Sequence, residues 1–185
     1  MQTLSQGYKQ RVESLFKLSN MMNPAQRALM HWAIVDDYHA LLELSCPNVN
    51  LLHSFMEKYR VRACGLVSTA AQTDRYADQL PDAEWIRGDA ADIPWQDGSF
   101  HTVFLSSPPE TSIGEKEVLR DIYRVLREDG CFLAAVPFFG QETSLFSFYR
   151  RKELTDCLHD IGFSDVSFRL AGFGYLTLVA RRESA

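Results

Sequence analysis

The residues placed to do chemistry are few and lie at the ends of apolar runs. Glu43 sits near the end of ALLEL, residues 40–44, and Ser45, Cys46 and Pro47 follow it in a loop. Asp89 ends EWIRGD over 84–89, with Ala90 beside it, and Ser106 followed by Ser107-Pro108-Pro109-Glu110 ends SFHTVFLSS. A carboxylate at such a place can hold a ligand, and it can equally cap the next helix or loop. His101 stands alone on an apolar run, where a histidine is more often packing or surface than a base. No catalytic residue can be assigned from these alone.

Cys46, Cys64, Cys131 and Cys157 are widely spaced, with no CxxC and no neighbouring His pair. Cys46 with His53 is the one conceivable metal pair, and the expectation is no metal. With no secretory signal ahead of them, these cysteines suit a reduced, cytoplasmic setting. The net charge of −5 and pI of 5.5 argue against nucleic acid as a partner. The basic clusters Arg150-Arg151-Lys152 and Arg181-Arg182 read as solvated surface. No apolar run approaches a membrane span.

The elements that position these residues alternate. At 185 residues, 46% apolar and 23% charged, the chain suits one domain, 1–185. Residues 1–38 read as N-terminal helices: Val12, Leu15, Phe16 and Leu18 fall near helical spacing, and Asn23-Pro24 supplies a cap and first position for a second helix. From 39 to 182 strands alternate with helices, which predicts a mostly parallel sheet with crossovers. Strands are expected at 39–44, 62–67, 84–89, 99–107 and 131–138, with a closing hairpin after Gly162. Helices are expected at 50–59, through Asp74, Tyr76 and Leu80, from Lys116 to a C-cap at Gly130, and over RKELTDCLHDIGF.

The runs AEWIRGDAADIPWQDGSFHTVFLSS and LRDIYRVLREDGCFLAAVPF closely resemble the class I S-adenosylmethionine (SAM) dependent methyltransferases, especially their small-molecule branch. The resemblance covers about residues 39–182. It implies a Rossmann-like α/β fold: a seven-stranded sheet with an antiparallel last strand, helices on both faces, and here extra N-terminal helices. It implies that Asp89 meets the adenine amino group beside the backbone of Ala90, and that Glu43 orients the methionine amine. Ser45, Pro47, Val67 and Ser106 complete the implied cofactor-binding set.

Two departures stand out. Where the family has Glu/Asp-x-Gly-x-Gly-x-Gly, this chain reads Glu43, Leu44, Ser45, Cys46, Pro47, Asn48, Val49. Pro47 has no N–H and Val49 disfavours positive φ, so the loop is expected to take another shape. Val67 stands where the family places the acid that binds both ribose hydroxyls. Hydrogen bonds to a charged group contribute about 1.5–3 kcal/mol each, and Ser68 cannot replace the pair. Gly65, just before, reads as ordinary strand-end material.

The resulting expectation is a methyltransferase-family protein that binds SAM weakly or is catalytically silent, with a binding or partner-supporting role. The alternative is an active small-molecule methyltransferase with a remodelled loop. Ser107-Pro108-Pro109-Glu110 resembles the amino-methyltransferase motif, but Glu110 replaces its aromatic, and a simple turn is the plainer reading. Trp95, Phe138, Phe139, Phe146, Phe148 and Tyr149 could line an apolar pocket, or pack in the core or an interface. The aromatic segment FFGQETSLFSFY would also serve for pairing, as a homo- or hetero-oligomer.

Overall fold

The computed structural model describes residues 22–109, 111, 113–138, 144–147, 150–172 and 174–183. The helix expected over Val12–Leu18, and Glu110, Phe139, Phe148 and Tyr149, lie outside them.

Helix α1, Pro24–Trp32, begins as its sequence dictates: Asn23 is the N-cap, its side-chain oxygen accepting from Gln26 N at 2.8 Å, with proline at the first position. Strand β1, Ala40–Leu44, is buried along its whole length. That continuous burial marks the middle of a parallel sheet covered on both faces. Helix α2, Asn50–Lys58, leads to β2, Arg62–Val67. Helix α3, Ala70–Gln79, opens with a capping box between Thr69 and Gln72 and leads to β3, Glu84–Arg87. Strand β4, Phe100–Leu105, is followed by α4, Glu115–Val125, and β5, Leu126–Pro137. Helix α5, Arg151–Ile161, ends at Gly162 in the left-handed region, φ 119°, as expected. Strands β6, Phe163–Gly172, and β7, Tyr175–Arg182, close the fold.

The seven strands run in the order β3-β2-β1-β4-β5-β7-β6. β1 to β5 pair in parallel, while β7 is antiparallel to both its neighbours. This is the Rossmann-like class I methyltransferase arrangement that the resemblance implied. On one face α4 and α5 bury Val118, Leu119, Ile122, Val125, Leu154 and Leu158. On the other, α1, α2 and α3 bury Leu29, Leu51, Leu52, Phe55 and Tyr76.

Three sequence expectations change. Helix α4 stops at Val125, not at Gly130. Leu126 leaves the helix at φ −69°, ψ 136°, is fully buried, and enters β5 opposite Phe100. Residues between Leu126 and Cys131 then form an irregularity in which Asp129 takes φ 61°. Arg182, read as solvated surface, instead serves the end of α4. Its Nη1 donates to the carbonyls of Tyr123, Arg124 and Leu126 at 2.9, 3.2 and 2.6 Å, and its guanidinium lies 4.7 Å from the Tyr123 ring centre. Gly65 is no idle strand residue: a Cβ there would fall 2.1 Å from Trp85 Cζ3, so only glycine lets that indole lie on β2.

Candidate functional site: a crevice at the strand ends

The carboxyl ends of β1, β2 and β4 open on one crevice, lined by Ser45, Cys46, Pro47, Leu66, Val67, Ser68, Gln72, Gly88, Ala90, Ser107 and Pro108. The position is where open α/β sheets hold ligands. Of the cofactor-binding residues expected from sequence, Ser45, Pro47, Val67 and Ala90 line it; Glu43, Ser106 and Asp89 do not.

Glu43 lies beneath the crevice with no exposed surface. Its Oε1 accepts from Gln26 Nε2 at 3.1 Å and from the hydroxyl of buried Ser106. Its Oε2 has no hydrogen-bond partner, nor has Gln26 Oε1. Burial pushes the Glu43 carboxyl up to about 7, against the lowering pull of the Ser106 and Gln26 hydrogen bonds. Gln26, fully buried, also reaches toward Asn48 O at 3.5 Å. Helix α1 thus bolts over the end of β1.

The loop after Glu43 keeps one property of its glycine-rich counterpart. Ser45 takes φ 52°, a left-handed conformation that glycine adopts without strain. Serine bears the turn at this first position, fastened by Ser107 Oγ donating to Ser45 O at 3.2 Å. Beyond it the loop departs. Cys46 is buried, its thiol donating to Glu43 O at 3.1 Å, and its carbonyl accepts from the Tyr76 phenolic hydroxyl at 3.2 Å. Burial pushes the Cys46 thiol well above its ordinary value, which leaves it an uncharged packing group. Val49 precedes α2 at φ −82°.

No described residue lining the crevice at the end of β2 is charged. Val67 is 2% exposed, and Ser68, Thr69 N and Thr69 Oγ1 all donate to Gln72 Oε1, at 3.2, 3.2 and 3.0 Å. After β3, Asp89 Oδ1 accepts from Ala91 N at 2.9 Å, the loop-capping role open to any aspartate there. Helix α4 fixes this loop: Asp121 accepts from Ile93 N, and Arg124 donates to Ile93 O at 2.7 Å and Trp95 O at 2.8 Å.

The remaining sequence candidates lie elsewhere. His101 faces the other end of the sheet, its Nδ1 accepting from Ala40 N at 2.9 Å. Trp95 stacks edge-on to Phe100, 5.5 Å between ring centres, Phe146 is buried in the core, and Phe138 packs against that core, so these three line no part of the crevice. Sequence reasoning missed Gln26, Gln72 and Tyr76. The T-x-x-Q spacing of Thr69 and Gln72 was a readable capping signal, but nothing local marked Gln26 or Tyr76. The four cysteines are free, and no group of acids, histidines and cysteines among the described residues is arranged to hold a metal. No described helix is long and apolar enough to cross a membrane.

The crevice offers about 200 Å³, below the roughly 300–1,000 Å³ of ordinary small-molecule sites. Glu43 is sealed beneath the crevice, and Val67, not an acid, ends β2 beside it.

Comparison with known proteins places the chain. A structure of the complex between the Haloferax volcanii Trm112 methyltransferase activator and a methyltransferase contains a chain that superposes with a TM-score of 0.70 at 16% identity, covering 93% of this chain and 95% of that one. The TehB-like SAM-dependent methyltransferase of Corynebacterium glutamicum superposes at 0.65 and 16% identity, over 99% and 100% of the chains. The [4+2]-cyclase SpnF superposes at 0.71 and 15% identity, over 86% and 80%. In sequence the chain is 23% identical over 137 residues to a mitochondrial 2-methoxy-6-polyprenyl-1,4-benzoquinol methylase of Dictyostelium discoideum, covering 56% of this chain. It spans 44% of that relative's length. A family model described as a methyltransferase domain matches residues 42–134, half of the chain. With the strand order and the motifs in agreement, the chain belongs to the methyltransferase domain family.

Proposed function

We propose that this chain is a methyltransferase-family protein that binds SAM weakly or not at all, and that it works as a binding module or as a subunit supporting a protein partner. The observation that carries the reading is Glu43, the acid assigned to the methionine amine, held instead by Gln26 and Ser106 with no exposed surface. Val67 in place of a ribose-binding acid and the small crevice support it. Fold does not dictate activity. The similarity to a chain from a complex with a methyltransferase activator supports a protein partner. The four free cysteines suit a cytoplasmic setting, and the net charge of −5 speaks against nucleic acid.

One observation favours the alternative, an active methyltransferase of a small molecule: Ser45 preserves the left-handed turn of the first loop glycine. Isothermal titration with SAM and with its demethylated product separates the two. The proposal expects no saturable heat at millimolar ligand; micromolar binding abolished by Asp89→Ala would establish the active reading instead.

A further inference from the structure

At the pole of the sheet opposite the crevice lies a larger cavity, about 410 Å³, whose walls come from five separated stretches of chain. His39 precedes β1, His101 lies on β4, Arg127 follows α4, Arg169 lies on β6 and Arg181 on β7. The sequence gives no hint that these groups converge.

Their hydrogen-bonding state is fixed by the backbone. His39 Nδ1 accepts from Asp36 N at 3.3 Å and His101 Nδ1 accepts from Ala40 N at 2.9 Å. A backbone amide can only donate, so each neutral ring carries its proton on Nε2. The two imidazoles stack, 4.4 Å between centres and 11° from parallel. Burial, and then the neighbouring His39 and Arg127, lower the His101 pKa, which disfavours the charged ring. Arg127 Nη1 stands 2.8 Å from His101 Nε2.

The other walls repeat the theme. Arg127, Arg169 and Arg181 form no ion pair among the described residues, although Glu128 and Asp129 border the same cavity. Arg169 lies 4.9 Å over the Trp32 ring, and the indole N–H of Trp32 has no partner. Donors from Arg127, Arg169, Arg181 and the Trp32 indole thus converge on one cavity, where an oxyanion would accept from several of them at once.

We infer that this cavity binds a compact phosphate-class oxyanion, free or as the terminal phosphate of a small phosphomonoester, through Arg127, Arg181 and the Nε2–H groups of His39 and His101. Charge-assisted bonds from guanidinium to phosphate are the strongest available here. The cavity is roomier than a bare phosphate requires, which favours the ester. The site is independent of whether the crevice binds SAM.

The test is isothermal titration of the full chain with inorganic phosphate, pyrophosphate and ribose 5-phosphate in low-salt buffer. Expected is saturable binding with a Kd of order 0.1–1 mM, weakening as salt is raised. Ribose 5-phosphate binding tighter than inorganic phosphate identifies an ester as the source, and equal binding identifies the free anion. Arg127→Gln and Arg181→Gln, each checked for an unchanged thermal transition, should each weaken binding about tenfold or more. Should either variant lose its fold, His101→Phe in the same titration takes its place. Absence of saturable binding up to about 10 mM, or binding untouched by the folded variants, overturns the site.

Discussion

Gln26 Nε2 donates to Glu43 Oε1 at 3.1 Å, joining the first turn of α1 to the end of β1 in a fully buried contact. The amide supplies one acid oxygen and leaves the other without a partner. Glu43 is consequently a buried acid with its carboxyl raised from 4.5 to about 7. A raised acid favours the folded state while protonated, so its contribution is fully present below the unfolded value and is lost as pH rises through about 7. The difference amounts to roughly 3 kcal/mol. Glu43→Gln should flatten the fall in stability between pH 4.5 and 7 and raise the melting temperature at pH 8, as thermal unfolding across that range would measure. An unchanged pH profile would place the titrating group elsewhere.

Gly65 and Trp85 are interlocked across β2 and β3. Trp85 cannot swing aside freely, since its indole N–H donates to Leu80 O at 3.1 Å. Gly65→Ala should therefore destabilise by at least about 1–3 kcal/mol in urea unfolding. Adding Trp85→Leu should return part of that loss, because the clash is with the ring.

Arg182 is the C-terminal cap of α4, supplied from the far end of the chain. Arg182→Ala should cost about 2–3 kcal/mol, since three carbonyls lose a charged donor and Tyr123 loses its cation. Arg182→Lys, a single ammonium without the planar fork, should recover only part. Hydrogen exchange should show the loss concentrated at the last turn of α4.

Tyr76 OH and Cys46 O, 3.2 Å apart, tie α3 to the loop after β1. Tyr76→Phe should cost about 1 kcal/mol in urea unfolding. It should also raise the exchange rate of the backbone amides over residues 45–49, which would report a loosened crevice wall.

Much of this fold was readable because its signals are local. Asn23-Pro24 announces α1, Gly162 ends α5, and the apolar spacing of Val118, Leu119, Ile122 and Val125 marks the buried face of α4. The end of α4 was not readable: its apolar spacing continues into Leu126, and the group that caps it, Arg182, is 56 residues further on. The candidate site divides in the same way. The loop and Val67 could be named from the motif, whereas the sealing of Glu43 depends on Gln26, 17 residues upstream with no motif around it. Ser45 shows the limit of arguing from residue type, because a fastened backbone can hold serine where glycine is easier.

Strand β7 lies between β5 and β6, although it follows both in the chain. A nascent polypeptide emerging from the ribosome therefore carries the full hydrogen-bonding edge of β5, from Cys131 to Pro137, bare until Tyr175–Arg182 has been made. Bare strand edges recruit other chains. Synthesis of this protein thus has a vulnerable interval whose end is set by β7, and chaperone dependence should concentrate there.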